Sequence, residues 1–217
     1  MRIAVLGTGM VGRTIGTKLV ELGHEVVMGS RSASGETVTA WAAEGGERAS
    51  AADFSGAAAA GELVFNCTAG GVSLEALEVA GAGNLAGKVL VDVANALDFS
   101  QGMPPRLSVC NDDSLGEQIQ RAFPDARVVK ALNTVNASLM VNPGALPEPT
   151  DLPYCGDDEA AKAEVAGLLE SFGWPGEHLL DLGPIGSARG MEMYLPLWLA
   201  LMGAVGGPGF NVRVVRG

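Results

Sequence analysis

The sequence lacks the features that define several classes of protein. Its 217 residues include only 14 Lys and Arg against 25 Asp and Glu, which gives a net charge of −11. That balance argues against nucleic-acid binding, which needs a basic face, but it is compatible with one local basic pocket for a phosphate. The longest apolar stretch, MYLPLWLALMGAVGG from Met193, is shorter than the roughly 20 residues that span a bilayer, so we expect no membrane contact.

Cysteines are few and scattered along the chain. Cys67, Cys110 and Cys155 contain no C-x-x-C pair, and such a set fits reduced cytosolic thiols better than a disulfide framework. We expect no signal peptide, because the first apolar run, IAVLG, is too short for an h-region and runs straight into a glycine turn. We therefore expect a cytoplasmic protein. We also expect no metal site, because no group of His, Cys and carboxylates has metal-ligand spacing.

The usual acid and base groups of dehydrogenases are missing too. Neither Tyr154 nor Tyr194 is followed by Lys four residues on, as in short-chain dehydrogenases, and His24 and His178 open strands rather than end them. No G-x-S-x-G nucleophile elbow is present. Lys130 is expected at the surface or in an ion pair rather than as a proton donor. We therefore predict no catalytic side chain.

Apolar strands and amphipathic helices alternate along the chain, and 47% of the residues are hydrophobic. This pattern predicts an α/β protein with a Rossmann-type, doubly wound, mainly parallel sheet covered on both faces. A small helix and strand extension should follow it. We place a nucleotide-binding domain at 1–157 and the C-terminal extension at 158–217.

Three segments carry more local predictions. Residues 50–61 are rich in Ala and Gly and indicate a weak helical segment. Residues 187–204 indicate one apolar helix, and the sequence FNVRVV at 210–215 indicates a final strand. The apolar helix and the final strand offer more apolar surface than a short extension can bury, so we expect a homodimer that uses them.

The first strand leads into the sequence GTGMVG, which has G-x-G-x-x-G spacing and opens a helix. In this context the first glycine permits the tight turn, the second lets the backbone approach a pyrophosphate, and the third lets the helix pack closely on the strand. Free N–H groups of the helix N-terminus then face the anion. The whole loop is predicted to bind cofactor: Gly7, Thr8, Gly9, Met10, Val11 and Gly12.

The second strand ends in VVMGSRS, where NAD-binding units usually carry Asp or Glu. Here Ser30, Arg31 and Ser32 occupy the position, and no acid occurs between Glu25 and Glu36. The planar guanidinium of Arg31 can pair with a 2′-phosphate, and the serine hydroxyls can add hydrogen bonds. The segment therefore predicts NADP(H) rather than NAD(H).

The motifs GTGMVGRTIGTKL, MGSRS and LSVCNDDSLGEQIQRAFPDARVVKALNTVNASLM, with the closing FNVRVVR, resemble the NADP-dependent oxidoreductases of the coenzyme F420 type. The same module is similar to the reductase domain of certain membrane metalloreductases. The resemblance implies further residues along the cofactor, by segment: Cys67, Thr68 and Ala69; Asn95 and Ala96; Ala131, Leu132, Asn133 and Thr134.

The resemblance also implies hydride transfer between NADP(H) and a planar small-molecule acceptor, a deazaflavin (coenzyme F420) or a flavin. A ring-to-ring transfer needs proximity, orientation and exclusion of water more than an acid or base. The alternative is a non-catalytic NADP(H)-binding module that senses the redox ratio or regulates a partner. The sequence is compatible with both.

Overall fold

The computed structural model describes residues 1–215 and 217, and its strands form one large sheet and a small hairpin. The strands of the sheet are β1 (Arg2–Leu6), β2 (Glu25–Ser30), β3 (Ala49–Asp53), β4 (Leu63–Asn66), β5 (Val89–Asp92), β8 (Arg127–Ala131), β9 (Leu152–Gly156) and β10 (Leu179–Asp181). The hairpin pairs β6 (Leu97–Asp98) with β7 (Arg106–Leu107).

Helices connect the strands and cover the sheet. They are α1 (Met10–Glu21), α2 (Glu36–Gly45), α3 (Phe54–Ala60), α4 (Ser73–Ala80), α5 (Ala82–Leu85), α6 (Leu115–Ala122), α7 (Ala137–Met140), α8 (Glu159–Ser171), α9 (Ala188–Met193) and α10 (Leu195–Val205).

The sheet has the strand order β3-β2-β1-β4-β5-β8-β9-β10. Pairing is parallel throughout except between β8 and β9, which are antiparallel. The first six strands follow the 3-2-1-4-5-6 order of a dinucleotide-binding sheet, in which the order reverses beside β1. The prediction of a Rossmann-type, mainly parallel sheet is confirmed.

Alternate residues of each strand enter two separate cores. In β1, Ile3 and Val5 belong to a core that also contains residues of α1, α2 and α8, whereas Ala4 and Leu6 belong to a second core that contains residues of α3, α4 and α6. Strands buried on both faces read as continuous apolar runs, which explains RIAVL and KVLV in the sequence. The sheet is therefore a rigid central layer, and its edges carry the loops.

The helical prediction for residues 50–61 is wrong in its first half. Residues Ala49–Asp53 form β3, which pairs in parallel with β2 along its whole length. The segment has no β-branched residue, so pairing with β2 decides its structure rather than intrinsic preference. Helix α3 then begins after Asp53, whose carboxylate accepts a hydrogen bond from the Gly56 N–H at 2.6 Å.

The C-terminal segment also departs from prediction. The single helix expected over 187–204 is two helices, α9 and α10, separated at Tyr194. Pro196 has no N–H to continue the helical ladder, which accounts for the break. The strand expected over 210–215 is wrong, since those residues are irregular. They are held by Asp151 instead, whose N–H donates to the Val212 carbonyl at 3.0 Å.

Residues 158–217 share the sheet with the rest of the chain, because β10 pairs with β9. The division at residue 157 stays a prediction, since no separate core marks it. In the described part of the chain, no helix is long and apolar enough to cross a membrane.

Candidate functional site

The predicted site residues lie at one edge of the sheet. The parallel strands β1, β2, β4, β5 and β8 all end at this carboxyl edge, where α/β sheets bind ligands. Backbone hydrogen bonds connect the ends of neighbouring strands at this edge. The Gly7 N–H donates to the Gly29 carbonyl at 2.9 Å, and the Cys67 N–H donates to the Leu6 carbonyl at 2.8 Å.

The glycine loop between β1 and α1 has the geometry that the sequence predicts. Gly7 has φ of +115°, and a Cβ there would lie 2.6 Å from the Cys67 carbonyl oxygen. A Cβ on Gly12 would collide with the Gly7 carbonyl oxygen, whereas a Cβ on Gly9 would meet nothing within 4 Å. Gly7 and Gly12 are therefore required by the fold itself. Gly9 faces open space and is free to admit a ligand.

Around these glycines, Thr8 and Val11 are half-buried, and Gly9 and Met10 are exposed. Helix α1 begins after Gly9 without a side-chain cap and has no acidic residue in its first turn. Its N-terminal N–H groups and the positive end of the helix dipole thus face the edge with no negative side chain in that turn.

The turn after β2 carries the predicted 2′-phosphate residues. The Ser30 hydroxyl accepts a hydrogen bond from the Ser32 N–H at 3.2 Å and also donates to the Ser32 carbonyl, so Ser30 braces the turn. The Ser32 hydroxyl lies 3.2 Å from that of Ser34. Arg31 is exposed and, within the described residues, forms no ion pair. Its guanidinium is the group available to an anion.

The segment after β4 is held by a buried amide. Asn66 Oδ1 accepts hydrogen bonds from the Thr68 hydroxyl at 2.7 Å and from the Thr68 N–H at 3.3 Å, and Asn66 Nδ2 donates to Asp92. Cys67 is half-buried and Ala69 is exposed. Burial raises the pKa of the Cys67 thiol, and the charge of Asp92 adds to the rise. Cys67 is therefore a neutral packing group.

Two asparagines and one carbonyl form what we term the amide layer: Asn95, Asn133 and the Met191 carbonyl. Asn95 Nδ2 donates to the Asn133 carbonyl at 2.9 Å, and Asn133 Nδ2 donates to Asn95 Oδ1 at 3.0 Å and to the Met191 carbonyl at 3.1 Å. The two carbonyl acceptors fix which way each amide points. Asn133 Oδ1 is buried, and no described residue donates a hydrogen bond to it.

The backbone before Asn133 is strained. Leu132 is fully buried and has φ of +66°, a left-handed conformation that is uncommon for a bulky side chain. This conformation ends β8 and turns Asn133 toward Asn95. Ala131 and Ala96 are buried in the core, and the buried Thr134 hydroxyl has no hydrogen-bond partner in the part of the chain that the structure describes. Strained residues concentrate at ligand sites, where the surroundings hold them in place.

Three buried charged side chains contact one another beside the amide layer, and we term them the charged triad: Asp92 on β5, Lys130 on β8 and Glu192 on α9. Lys130 Nζ lies 2.7 Å from Asp92 Oδ2 and 2.8 Å from Glu192 Oε1, and none of the three residues is more than 1% exposed. Burial by itself would lower the pKa of Lys130, but the two carboxylates outweigh it and raise that pKa, so the ammonium stays charged.

The expectation of an ion pair at Lys130 is confirmed, whereas a surface position is wrong. Sequence reasoning did not predict Asp92 and Glu192 as its partners. A usable signal existed, since Asp92 ends the apolar run VLV and Lys130 interrupts the apolar run VVKA. Buried charges are rare unless they are paired. Within the residues described, no group of three or more His, Cys, Asp or Glu side chains could hold a metal ion.

The residues present fit a bound NADP(H). The uncapped N-terminus of α1 suits the pyrophosphate, and Arg31 suits a 2′-phosphate. The unpartnered Asn133 Oδ1 suits the amide N–H of a nicotinamide carboxamide, because a buried acceptor without a donor is costly.

Comparison with known proteins places the chain in a family. The family model described as NADP oxidoreductase coenzyme F420-dependent matches residues 2–96. The crystal structure of a candidate F420-dependent NADP reductase from Arthrobacter sp. FB24 is 53% identical over the whole of both chains, with a TM-score of 0.94. The chain belongs to this family of NADP oxidoreductases. Membership supports NADP(H) binding and NADP-dependent oxidoreductase activity.

More distant proteins share the module. The metalloreductase STEAP3 of Rattus norvegicus is 29% identical over 201 residues, which cover 91% of this chain but 38% of that protein. The chain thus spans less than half the length of that curated relative. The hypothetical protein SMa0349 of Sinorhizobium meliloti is 22% identical over 87% of this chain and 88% of its own, with a TM-score of 0.70. It shares the fold.

Proposed function

We propose that the protein transfers a hydride between NADP(H) and a planar acceptor, namely a deazaflavin (coenzyme F420) or a flavin. The observation that carries this proposal is the fixed, unpartnered Asn133 Oδ1 at the edge where the glycine loop and Arg31 also lie. The 53% identity to a candidate F420-dependent NADP reductase supports the choice of acceptor.

In this proposal the cofactor lies along the carboxyl edge from β2 to β8. Arg31 and Ser32 hold the 2′-phosphate, and the loop Gly7–Gly12 holds the pyrophosphate. Thr68 and Ala69 lie along the middle of the cofactor. Asn133 orients the nicotinamide through its carboxamide, and the nicotinamide ring supplies or accepts the hydride. The chain then contributes orientation and exclusion of water, with the reacting carbons about 3–3.5 Å apart.

Residues 158–217 would complete the acceptor side of the site. Helix α9 packs at the carboxyl edge of the sheet, because the Met191 carbonyl accepts a hydrogen bond from Asn133 and Glu192 forms an ion pair with Lys130. We place the acceptor ring between the nicotinamide and the wall formed by α9 and α10. The domain boundary at residue 157 separates the segment that holds NADP(H) from this wall.

We also propose a homodimer built on α10. Only Leu195 of this strongly apolar helix is buried, while Leu197 and Val205 are 56% and 60% exposed. Trp198 stacks on Phe210 with ring centroids 5.4 Å apart, which extends the apolar surface onto the C-terminal segment. A large apolar surface of this kind is typical of protein interfaces.

A cytoplasmic location is proposed from cysteine chemistry. Cys67, Cys110 and Cys155 are all free. Free thiols persist in reducing compartments, whereas secreted domains usually pair them.

The proposal is tested by mixing the protein with NADPH and one acceptor at a time from a panel: coenzyme F420, FMN, FAD and riboflavin. Loss of nicotinamide absorbance together with reduction of F420 or a flavin is the expected result. A matched reaction with Gly9→Ala is the control, because a Cβ at this position meets no atom within 4 Å and the fold should be kept. Acceptor reduction that persists in this variant would occur outside the proposed site. Tight NADPH binding without turnover on any acceptor would favour the non-catalytic module instead.

A further inference from the structure

The charged triad lies beside the amide layer, and the two are joined along the chain. Asp92 precedes Asn95 by three residues on the β5 side, and Lys130 precedes Asn133 by three residues on the β8 side. On the α9 side, Glu192 directly follows Met191. Each member of the triad therefore anchors the segment that carries one member of the amide layer.

The triad also ties α9 to α6. Glu192 Oε2 accepts from the Leu115 N–H at 2.8 Å, and Glu192 Oε1 accepts from the Gly116 N–H at 3.0 Å. The N–H groups at the start of a helix stabilise a negative charge. With Lys130 on its other side, Glu192 has a complete set of partners and fixes the position of the Met191 carbonyl. That carbonyl is one of the two acceptors that orient the Asn133 amide.

We propose that the charged triad is the positioning device for the nicotinamide end of the site, with Lys130 at its centre. The inference rests on the proposed function. The three N–H groups of the Lys130 ammonium are taken up by Asp92, Glu192 and the Ala94 carbonyl, so none is left for a ligand. Lys130 therefore acts through Asn133 and Met191 and is a positioning residue. Its two ion pairs hold the ends of β5, β8 and α9 in one arrangement, against the strained Leu132 backbone between Lys130 and Asn133.

Loss of the triad should affect binding of the nicotinamide end of the cofactor but not binding of the adenosine end. The residues proposed for the pyrophosphate and 2′-phosphate lie on the loops after β1 and β2. Among the described residues, the triad forms no ion pair or hydrogen bond with these loops. Removal of the ammonium leaves Asp92 and Glu192 as two uncompensated carboxylates, which should move α9 and release the Asn133 amide. The nicotinamide end should then lose a hydrogen bond while the adenosine end keeps all of its contacts.

The experiment measures binding of two ligands by calorimetry: NADPH, and 2′-phospho-ADP-ribose, which lacks the nicotinamide. Lys130→Met is expected to weaken NADPH binding roughly three- to tenfold, the value of one hydrogen bond, and to change binding of the fragment by less than about twofold. Glu192→Gln should weaken NADPH binding in the same selective way. Because this change is near-isosteric, it serves as the test if Lys130→Met fails to fold. Lys162→Met is the matched control.

Lys162 is a suitable control because it too is almost fully buried and pairs with two carboxylates, Glu159 and Asp181, at 2.8 Å each. Those pairs lie on α8 and β10. A selective loss of NADPH affinity in the triad variants, absent in Lys162→Met, supports the proposal.

Equal losses for NADPH and the fragment, or unchanged NADPH affinity in folded Glu192→Gln, would overturn the positioning role and leave the proposed function standing. An unaltered protein that binds neither ligand would overturn both. The two failures are therefore distinguishable by the behaviour of the unaltered protein.

Discussion

Gly12 packs against the carbonyl of Gly7 so closely that a Cβ on Gly12 would overlap the Gly7 oxygen, while Gly9 between them faces open space. We therefore expect Gly12→Ala to destabilise the fold, because strand and helix must move apart. Gly9→Ala should change the free energy of unfolding by less than about 1 kcal/mol, as expected at a helix N-cap, yet weaken NADPH binding at least tenfold. Urea unfolding and ligand titration of both variants check this contrast, and equal stability of the two would contradict it.

Arg31 should decide between the two nicotinamide cofactors. A charge-assisted hydrogen bond is worth about 1.5–3 kcal/mol, so the preference for NADPH over NADH should be roughly tenfold or more. Arg31→Glu should narrow or reverse it, because a carboxylate repels a 2′-phosphate. Arg48→Glu, at the opposite edge of the sheet just before β3, makes the same charge change and should leave the preference intact. Equal affinity of the unaltered protein for both cofactors would refute the assignment.

Loss of Lys130 should cost far more stability than loss of Lys162. Breaking a buried ion pair typically costs about 3–5 kcal/mol, because it leaves an uncompensated buried charge. Asp92 and Glu192 have almost no exposed surface, whereas the partners of Lys162 have 84% and 36% of their side chains exposed and can return to water. Comparison of Lys130→Met and Lys162→Met by urea unfolding at neutral pH tests this. Similar losses would show that burial of the triad carries no special cost.

The buried thiol of Cys155 should make the fold sensitive to alkali. Burial raises the pKa of Cys155 to about 12, whereas an unfolded thiol titrates near about 8.5. Between these values the unfolded chain binds fewer protons than the folded one, so stability falls as the pH rises, by about 1.4 kcal/mol per pH unit. Cys155→Ala should flatten this decline in urea unfolding above about pH 8.5. Cys110→Ala, at a half-buried position, is the control, and an unchanged slope in Cys155→Ala would be the contrary result.

The proposed dimer should depend on α10. Leu197→Glu places a charge in the exposed apolar surface and should shift the protein toward a monomer in light scattering at micromolar concentration. Val79→Glu makes a comparable change at a 58% exposed position on α4 and should leave the assembly unchanged. A monomeric unaltered protein would rule the interface out.

The sequence predicted the sheet and the glycine loop well because both follow from local rules. Continuous apolar runs indicate strands buried on both faces, and the G-x-G-x-x-G spacing specifies its own strand, turn and helix. Strand β3 was missed because its small residues form a strand only through pairing with β2. The apolar pattern of FNVRVV predicts a strand, but the backbone of this segment is held by a side chain, that of Asp151.

The charged triad and the amide layer were beyond sequence reasoning for a related reason. The contacts within them join residues that are 38 to 62 positions apart along the chain, and only the fold brings these residues together. Lys130 alone indicates an ion pair, but its partners on β5 and α9 follow from the strand order and from the docking of α9 against α6. Polar networks of this kind are specified by tertiary packing rather than by local pattern.

The central claim is direct hydride transfer between nicotinamide and a planar ring, and the fate of an isotopic label tests it most directly. NADPH deuterated at the transferring carbon is incubated with the protein and coenzyme F420, whose accepting ring atom is a carbon and retains a transferred deuterium. The account predicts oxidation of NADPH with the label recovered in the reduced F420 ring. Label recovered in water and absent from that ring, or no oxidation of NADPH by F420 or by any flavin in the panel, would contradict it.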